Sequence, residues 1–357
     1  MAMNEKEIRQ VDKDPKIDLH LHLDGALSGE AIMSVAQRHG VTVPGISEQS
    51  LDALSEVYPD FGPFHASSKP EFDRFLALFG KALSVMQKPE TIHDSTLEVI
   101  RDLKRQNVVY AELRFAPNYH CREGHSMNEM VEAVLRATRE GERETGVVTR
   151  LIVVVPREIE HVDWYKGPSA KEIVKTALEF QDQGVVAIDL ACSEHFGPEP
   201  YIDLFRSTFG ERLQRTVHAG ETGPQMQQNI KTALYQMGAN GLGHARGLPS
   251  MLREMYFVRQ NGVRVERAPI SNQCMVVGED FDRVDELLER GILVSVNSDD
   301  PGIFGPGCSL AKNLVAVGRK FHFGLNGVRE LTLNAARSAF LPMEEKKALE
   351  ERVSGGW

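Results

Sequence analysis

Cysteine is scarce in this chain and poorly spaced for cross-linking. The four present, Cys121, Cys192, Cys274 and Cys308, are scattered, and no C-x-x-C pair occurs. That usage fits a reducing compartment, and so a cytoplasmic location, better than a disulfide framework. Long apolar runs are missing: nothing approaches about 18 consecutive apolar residues, so no membrane span is expected. The segment up to Pro15 is charged and lacks an apolar core, so no signal peptide is expected. No basic tract exceeds Lys346-Lys347, and the net charge is −10, which argues against binding nucleic acid through its phosphates. Internal repeats and low-complexity segments are absent. So is a glycine-rich phosphate loop: the first apolar run leads into Gly25-Ala-Leu-Ser-Gly29, which is neither G-x-G-x-x-G nor a P-loop.

What is present reads as a soluble globular protein, with 357 residues, 41% hydrophobic and 26% charged. The length suits two ordinary domains or one large α/β barrel. Its most informative stretch is Lys16-Ile-Asp-Leu-His-Leu-His-Leu-Asp-Gly25. In a β-strand, residues i and i+2 point to the same face, so His20 and His22 project together. Asp24 continues that parity, and Gly25 lets the backbone turn. Two same-facing imidazoles are half of a metal site, or two histidines that merely share a strand.

From residue 90 onward, helix-like and strand-like segments alternate. Glu90–Gln106 leads to Val108–Phe115, and Met127–Thr145, stopped by Gly146, leads to Leu151–Val155. Val185–Leu190, Leu213–His218, Gly241–His244, Gly262–Glu266 and Ile292–Asn297 continue the series. With the opening strand this makes eight short runs of nearly continuous hydrophobicity, as expected of strands buried on both faces. The pattern predicts an α/β fold, a closed (β/α)₈ TIM barrel in one domain over 1–357, with extra C-terminal helices. A doubly wound open sheet is the alternative, and the missing phosphate loop counts against it. Residues 41–89 interrupt the rhythm. There Phe72, Phe75, Leu76 and Phe79 recur on one helical face, which predicts a helical insertion able to cover the barrel mouth, or else an extra packing layer.

In such a barrel the active site lies at the C-terminal ends of the strands. Those ends carry His20, His22 and Asp24, then Asp189 to Glu194, His218 with Glu221, His244, Pro269 to Asn272, and Asp299-Asp300. Imidazoles with a carboxylate suit a borderline divalent ion such as Zn²⁺. His20, His22, His218 and Asp299 are therefore candidate ligands, with a metal-activated water as nucleophile. The end of strand four offers no lysine to bridge two metals, so one ion per chain is expected. Glu221 is a candidate general acid, or simply a carboxylate at a helix start. His244, between Gly243 and a small residue, is free to steer the water. Asp300 is left to bond a substrate nitrogen, or to cap the turn before Pro301.

These residues resemble the adenosine deaminase family of metal-dependent amidohydrolases. The likeness rests on Asp18-Leu-His-Leu-His-Leu-Asp-Gly-Ala26, Thr216-Val-His-Ala-Gly-Glu221, Leu242-Gly-His244 and Ser298-Asp-Asp-Pro301. It extends through Val109–Pro117, Val185–Ala191 and Leu333–Pro342, in order over nearly the whole chain. The resemblance implies hydrolytic deamination of a purine nucleoside at C6, giving inosine and ammonia from adenosine. It implies Glu221 as the acid at ring N1, His244 as the residue steering water, and Asp300 near N7. It implies Asp24 as the contact to the sugar 5′-hydroxyl, His22 as a further substrate contact, and a lid at 41–89. Cys192 stands where the family usually has a glycine whose N–H meets N3. The thiol is expected to narrow the pocket or to demand a different backbone angle. Adenosine, together with 2′-deoxyadenosine, is the expected substrate; adenine, N6-methyl-AMP, 5′-methylthioadenosine and aminofutalosine stay open, as does a non-catalytic relative. The zinc motifs of cytidine-type deaminases, H-x-E and P-C-x-x-C, are absent.

Overall fold

The computed structural model describes residues 3–46, 69–163, 165–275 and 283–357. Eight parallel strands follow one another in chain order: β1 (Lys16–His22), β2 (Val108–Phe115), β3 (Val148–Pro156), β4 (Val185–Ala191), β5 (Gln214–Ala219), β6 (Gly241–His244), β7 (Arg264–Arg267) and β8 (Val294–Val296). The ring closes at its rim. Asp299 donates its N–H to the carbonyl of His20, and His22 donates to the carbonyl of Asp299, both at 3.0 Å. Closure therefore happens at the residues that carry the candidate chemistry. This is a (β/α)₈ TIM barrel, as the alternation predicts.

Local signals set the helix boundaries. Ser126 and Glu129 form a reciprocal capping box for Met127–Thr145, and Gly146 ends it in the left-handed region at φ 74°. Ser28 caps Gly29–His39, which stops at Gly40 with φ 64°. Strand burial supplies the driving force. In β3 alone, Leu151, Ile152, Val153 and Val155 have no exposed surface, each worth about 1.5–3 kcal/mol.

The sequence pattern does not anticipate three features. Asn4 and Glu7 form a capping box for a helix at Glu5–Lys13, inside the charged segment up to Pro15 to which the sequence assigns no element. The first strand stops at His22, and Leu23–Ala26 forms a single helical turn, so Asp24 reaches the rim from a turn rather than by strand parity. The barrel interior is not hydrocarbon. Arg114 bonds Asp189 at 2.9 Å and Glu266 at 2.8 Å, and Arg264 bonds Glu112 at 2.6 Å and Glu266 at 2.7 Å, all of them buried.

The insertion expected over 41–89 is described from residue 69, as helices Lys69–Leu76 and Phe79–Ser84; 47–68 and the Phe72 side chain lie outside the described residues. Phe75 stacks on Phe304, 5.5 Å between ring centres, in a cluster with Met275 and Ile303. The insertion thus leans on segments that follow β7 and β8.

Candidate active site

The ends of β1 and β5 bring three imidazoles to one point. His218 Nε2 lies 3.1 Å from His20 Nε2 and 3.2 Å from His22 Nε2. Asp299 Oδ1 completes the group, at 3.2 Å from His20 Nε2 and 3.5 Å from His22 Nε2. The four expected ligands are together, with their ligating atoms all within 4.8 Å of one another.

The second nitrogen of two of the rings explains why they face one another. His20 Nδ1 lies 2.8 Å from Glu266 Oε2, and His218 Nδ1 lies 2.9 Å from Asp189 Oδ2. A carboxylate only accepts, so each ring carries a proton on Nδ1 and turns an Nε2 lone pair inward. Converging lone pairs repel unless a cation sits among them. Asp299 Oδ1, buried and without a hydrogen bond among the described residues, points the same way. Burial lowers the pKa of His22 and His218 and keeps them neutral, as ligation requires. For His20, burial and Arg114 oppose protonation, but Asp299 and Glu266 outweigh them and raise its pKa. A cation would take the place of that proton. The donor set fits one divalent ion of the zinc type.

Around this centre sit the other rim residues. His244 is fully buried, with Nδ1 2.8 Å from Asn272 Oδ1 and Nε2 3.9 Å from both Glu221 and Asp299. The ring is therefore fixed, not free as its small neighbours suggest. Burial lowers its pKa to about 3, so it is neutral. Burial, then Asp299 and Glu194, raises the Glu221 carboxyl well above the ordinary carboxylate range. Glu221 is not at a helix start, since the next helix begins at Met226. Asp300 does not cap Pro301–Phe304 with its side chain; burial and the charge of Asp299 raise its pKa well above the ordinary range too.

Gly25 has a different reason from the turn the sequence suggests. A Cβ there would lie 1.8 Å from Asp300 Oδ1, so glycine is the space into which Asp300 fits. Gly25→Ala is expected to displace Asp300 and cut turnover about 100-fold while the metal is retained. Turnover within a few-fold of wild type would show that Asp300 does not act where it lies.

Cys192 sits in the left-handed region, at φ 71°, at a cost of about 1–2 kcal/mol. Burial, then Glu158 and Asp24, raises the thiol pKa well above its usual value, so it is a neutral wall and not a nucleophile. His244 and Asp299 are also left-handed, at φ 60° and 66°, so strain gathers at the strand ends.

A cavity of about 480 Å³ opens over these groups, walled by His22, His218, Glu221, Asp299, Asp300, Asp24 and Cys192 at its floor. Phe75, Leu76 and Phe79 of the insertion and Phe115, Val154 and Phe196 of the barrel form its apolar flank. Sequence reasoning missed Glu266, Asp189 and Arg114 as supports of the histidines. The one available signal was parity: Arg264 and Glu266 share a face of β7, as Glu112 and Arg114 share a face of β2.

A family model described as adenosine deaminase matches residues 15–355. An adenosine deaminase of Clostridium botulinum (strain Okra / Type B1) is 29% identical over 347 residues, 96% of this chain and 97% of its own. Among solved structures, adenine deaminase from Arthrobacter aurescens aligns with TM-score 0.77 and 25% identity, covering 96% of this chain and 98% of that one. An Arabidopsis N6-mAMP deaminase aligns with TM-score 0.77 and 23% identity, covering 97% and 99%, and speaks to the fold alone.

Proposed function

Because this chain belongs to the adenosine deaminase family, hydrolases acting on a C–N bond, we propose that it deaminates adenosine and 2′-deoxyadenosine, giving inosine from adenosine and using one zinc ion. The observation that carries the reading is the meeting of His20, His22, His218 and Asp299 with two carboxyl groups that hold their protons.

A divalent ion held by those four residues would supply an acidified water and stabilise developing charge. The side chains divide the remaining work. Hydration of the C6=N1 bond puts oxygen on C6 and a proton on N1, and the proton comes from Glu221. Ring N7 is an acceptor, so a carboxyl beside it must be protonated to bond it; Asp300 meets that condition. His244 is neutral, and its Nδ1–H is engaged by Asn272, so Nε2 offers a lone pair to the water's proton. That proton goes on to the departing amine; the C6–N bond breaks as the C6 hydroxyl becomes a carbonyl, its proton returns to Glu221, and ammonia leaves. Asp24, raised to about 6 by burial, faces the cavity as a partner for a ribose hydroxyl.

Electrostatics favours a nucleoside over a nucleotide. Glu221 and Asp300 hold their protons, so the anionic lining is Asp24, Asp73, Glu158 and Asp299, against Arg122 alone among the described residues. The sequence over 47–68 adds no lysine or arginine. A 5′-phosphate is held by cations, and this cavity repels it. Ammonia release across adenosine, 2′-deoxyadenosine, adenine, N6-methyl-AMP, 5′-methylthioadenosine and aminofutalosine tests the reading. Adenosine is expected to lead in kcat/KM, with N6-methyl-AMP at least about 100-fold below. A phosphorylated substrate in first place would overturn it.

A further inference from the structure

Glu194 is 2% exposed and is not part of the cavity lining, yet its carboxylate bonds the turn that carries the proton donor and the helix that follows it. Its carboxylate accepts from the N–H of Gly220 at 2.9 Å, from the N–H of Glu221 at 2.5 Å and from the Asn229 side chain at 2.7 Å. The same turn is held from its other side. Arg246 Nη1 donates to the Glu221 carbonyl at 3.1 Å, and the Arg246 N–H donates to the Gly220 carbonyl at 3.0 Å. Gly220, at φ 87°, has Ile230 Cδ1 at 3.0 Å and the Arg246 backbone at 3.3 Å from where a Cβ would sit.

The arrangement answers a geometric problem. β5 ends at Ala219 and the following helix starts at Met226, so Glu221 stands on a segment with no ladder or helix of its own to fix it. A proton donor must sit within a few tenths of an ångström of its target. Here the rigidity comes from outside the segment, through a side chain just beyond β4. We propose that Glu194 is a positioning residue for the reaction, clamping the Glu221 main chain so that its carboxyl meets the ring nitrogen. This rests on the deaminase reading of the site.

Glu194→Gln tests it, because an amide of the same shape turns an N–H toward an N–H where an acceptor is needed. Three readouts are expected. Amide hydrogen exchange at Gly220 and Glu221 speeds up at least tenfold, while Ile188 and Leu190 in β4 stay protected. On the purine that the wild type turns over best, kcat falls about 10–100-fold, with KM within threefold and bound metal unchanged. Added to Glu221→Gln, the substitution slows the enzyme no further, since residues acting as one unit are not additive. Glu194→Asp, which keeps the charge and shortens the reach, falls between wild type and Glu194→Gln in exchange and in kcat.

Unchanged exchange at Gly220 and Glu221, or unchanged kcat, overturns the proposal. So does a second full loss of kcat in the Glu221→Gln background, which marks general structural damage. A wild type that turns over none of the purines tested would instead sink the deaminase reading, and the exchange measurement would still decide whether Glu194 holds the turn.

Discussion

Glu221→Gln is expected to keep the fold and the metal and to lose about 10³-fold in kcat, the middle of the range for removing a general acid. The glutamine amide fills the same space and still donates a hydrogen bond, so ground-state binding and KM are expected to hold. What it cannot do is give a proton up. The carboxyl stays protonated near neutrality because burial disfavours its charge and Asp299 and Glu194 add to that. Turnover should therefore persist above the ordinary glutamate range and fall as pH rises through the raised value. Stability has the matching sign. A glutamate whose folded pKa is raised makes the protein less stable as pH climbs above the unfolded value, because the folded state binds more protons. The glutamine variant is free of that loss, so it should be at least as stable as wild type at neutral pH. Turnover, bound metal and thermal midpoint on one preparation check all three. Near-normal kcat in a folded, metal-loaded variant would remove Glu221 as the proton donor.

How much of this was legible in the sequence depends on the range of each signal. His20 and His22 were readable because strand parity is local. His218, Glu221, His244 and Asp299 were readable because strand ends fall on one rim once the chain is read as a barrel. Asp24 reached the right place for the wrong reason, since the chain leaves the strand at Leu23. Arg114, Asp189 and Glu266 were not assigned a role. Their strands show charged residues at matching parity but not their partners, since the bonds cross the barrel between strands far apart in sequence. Gly25 was read as a turn because the opposing carboxylate, Asp300, lies at the other end of the chain. Glu194 was seen on the rim, but its turn-holding bonds needed coordinates. Contacts that follow from strand parity or from the shared rim could be inferred; those inside the barrel and behind the rim turns could not.

Removing the metal should cost more than any of these substitutions. Without a cation, the lone pairs of His20, His22 and His218 converge on one another and on Asp299 Oδ1, an arrangement that only positive charge stabilises. A chelator is therefore expected to bring turnover down by at least about 10³-fold, with recovery when Zn²⁺ is returned. The thermal midpoint should fall as well, since an ion that binds the folded state alone stabilises it by mass action. Asp299→Ala should match the chelated protein, because it removes the one anionic ligand. Arg114→Met gives the argument its second arm. Arg114 ties Glu266, which orients His20, to Asp189, which orients His218. Losing such a support typically weakens metal affinity about 10–100-fold. The variant should then be inactive at low Zn²⁺ and regain turnover at high Zn²⁺, a rescue that Asp299→Ala does not show. Full turnover after exhaustive chelation would mean that the four residues hold no ion needed for the reaction.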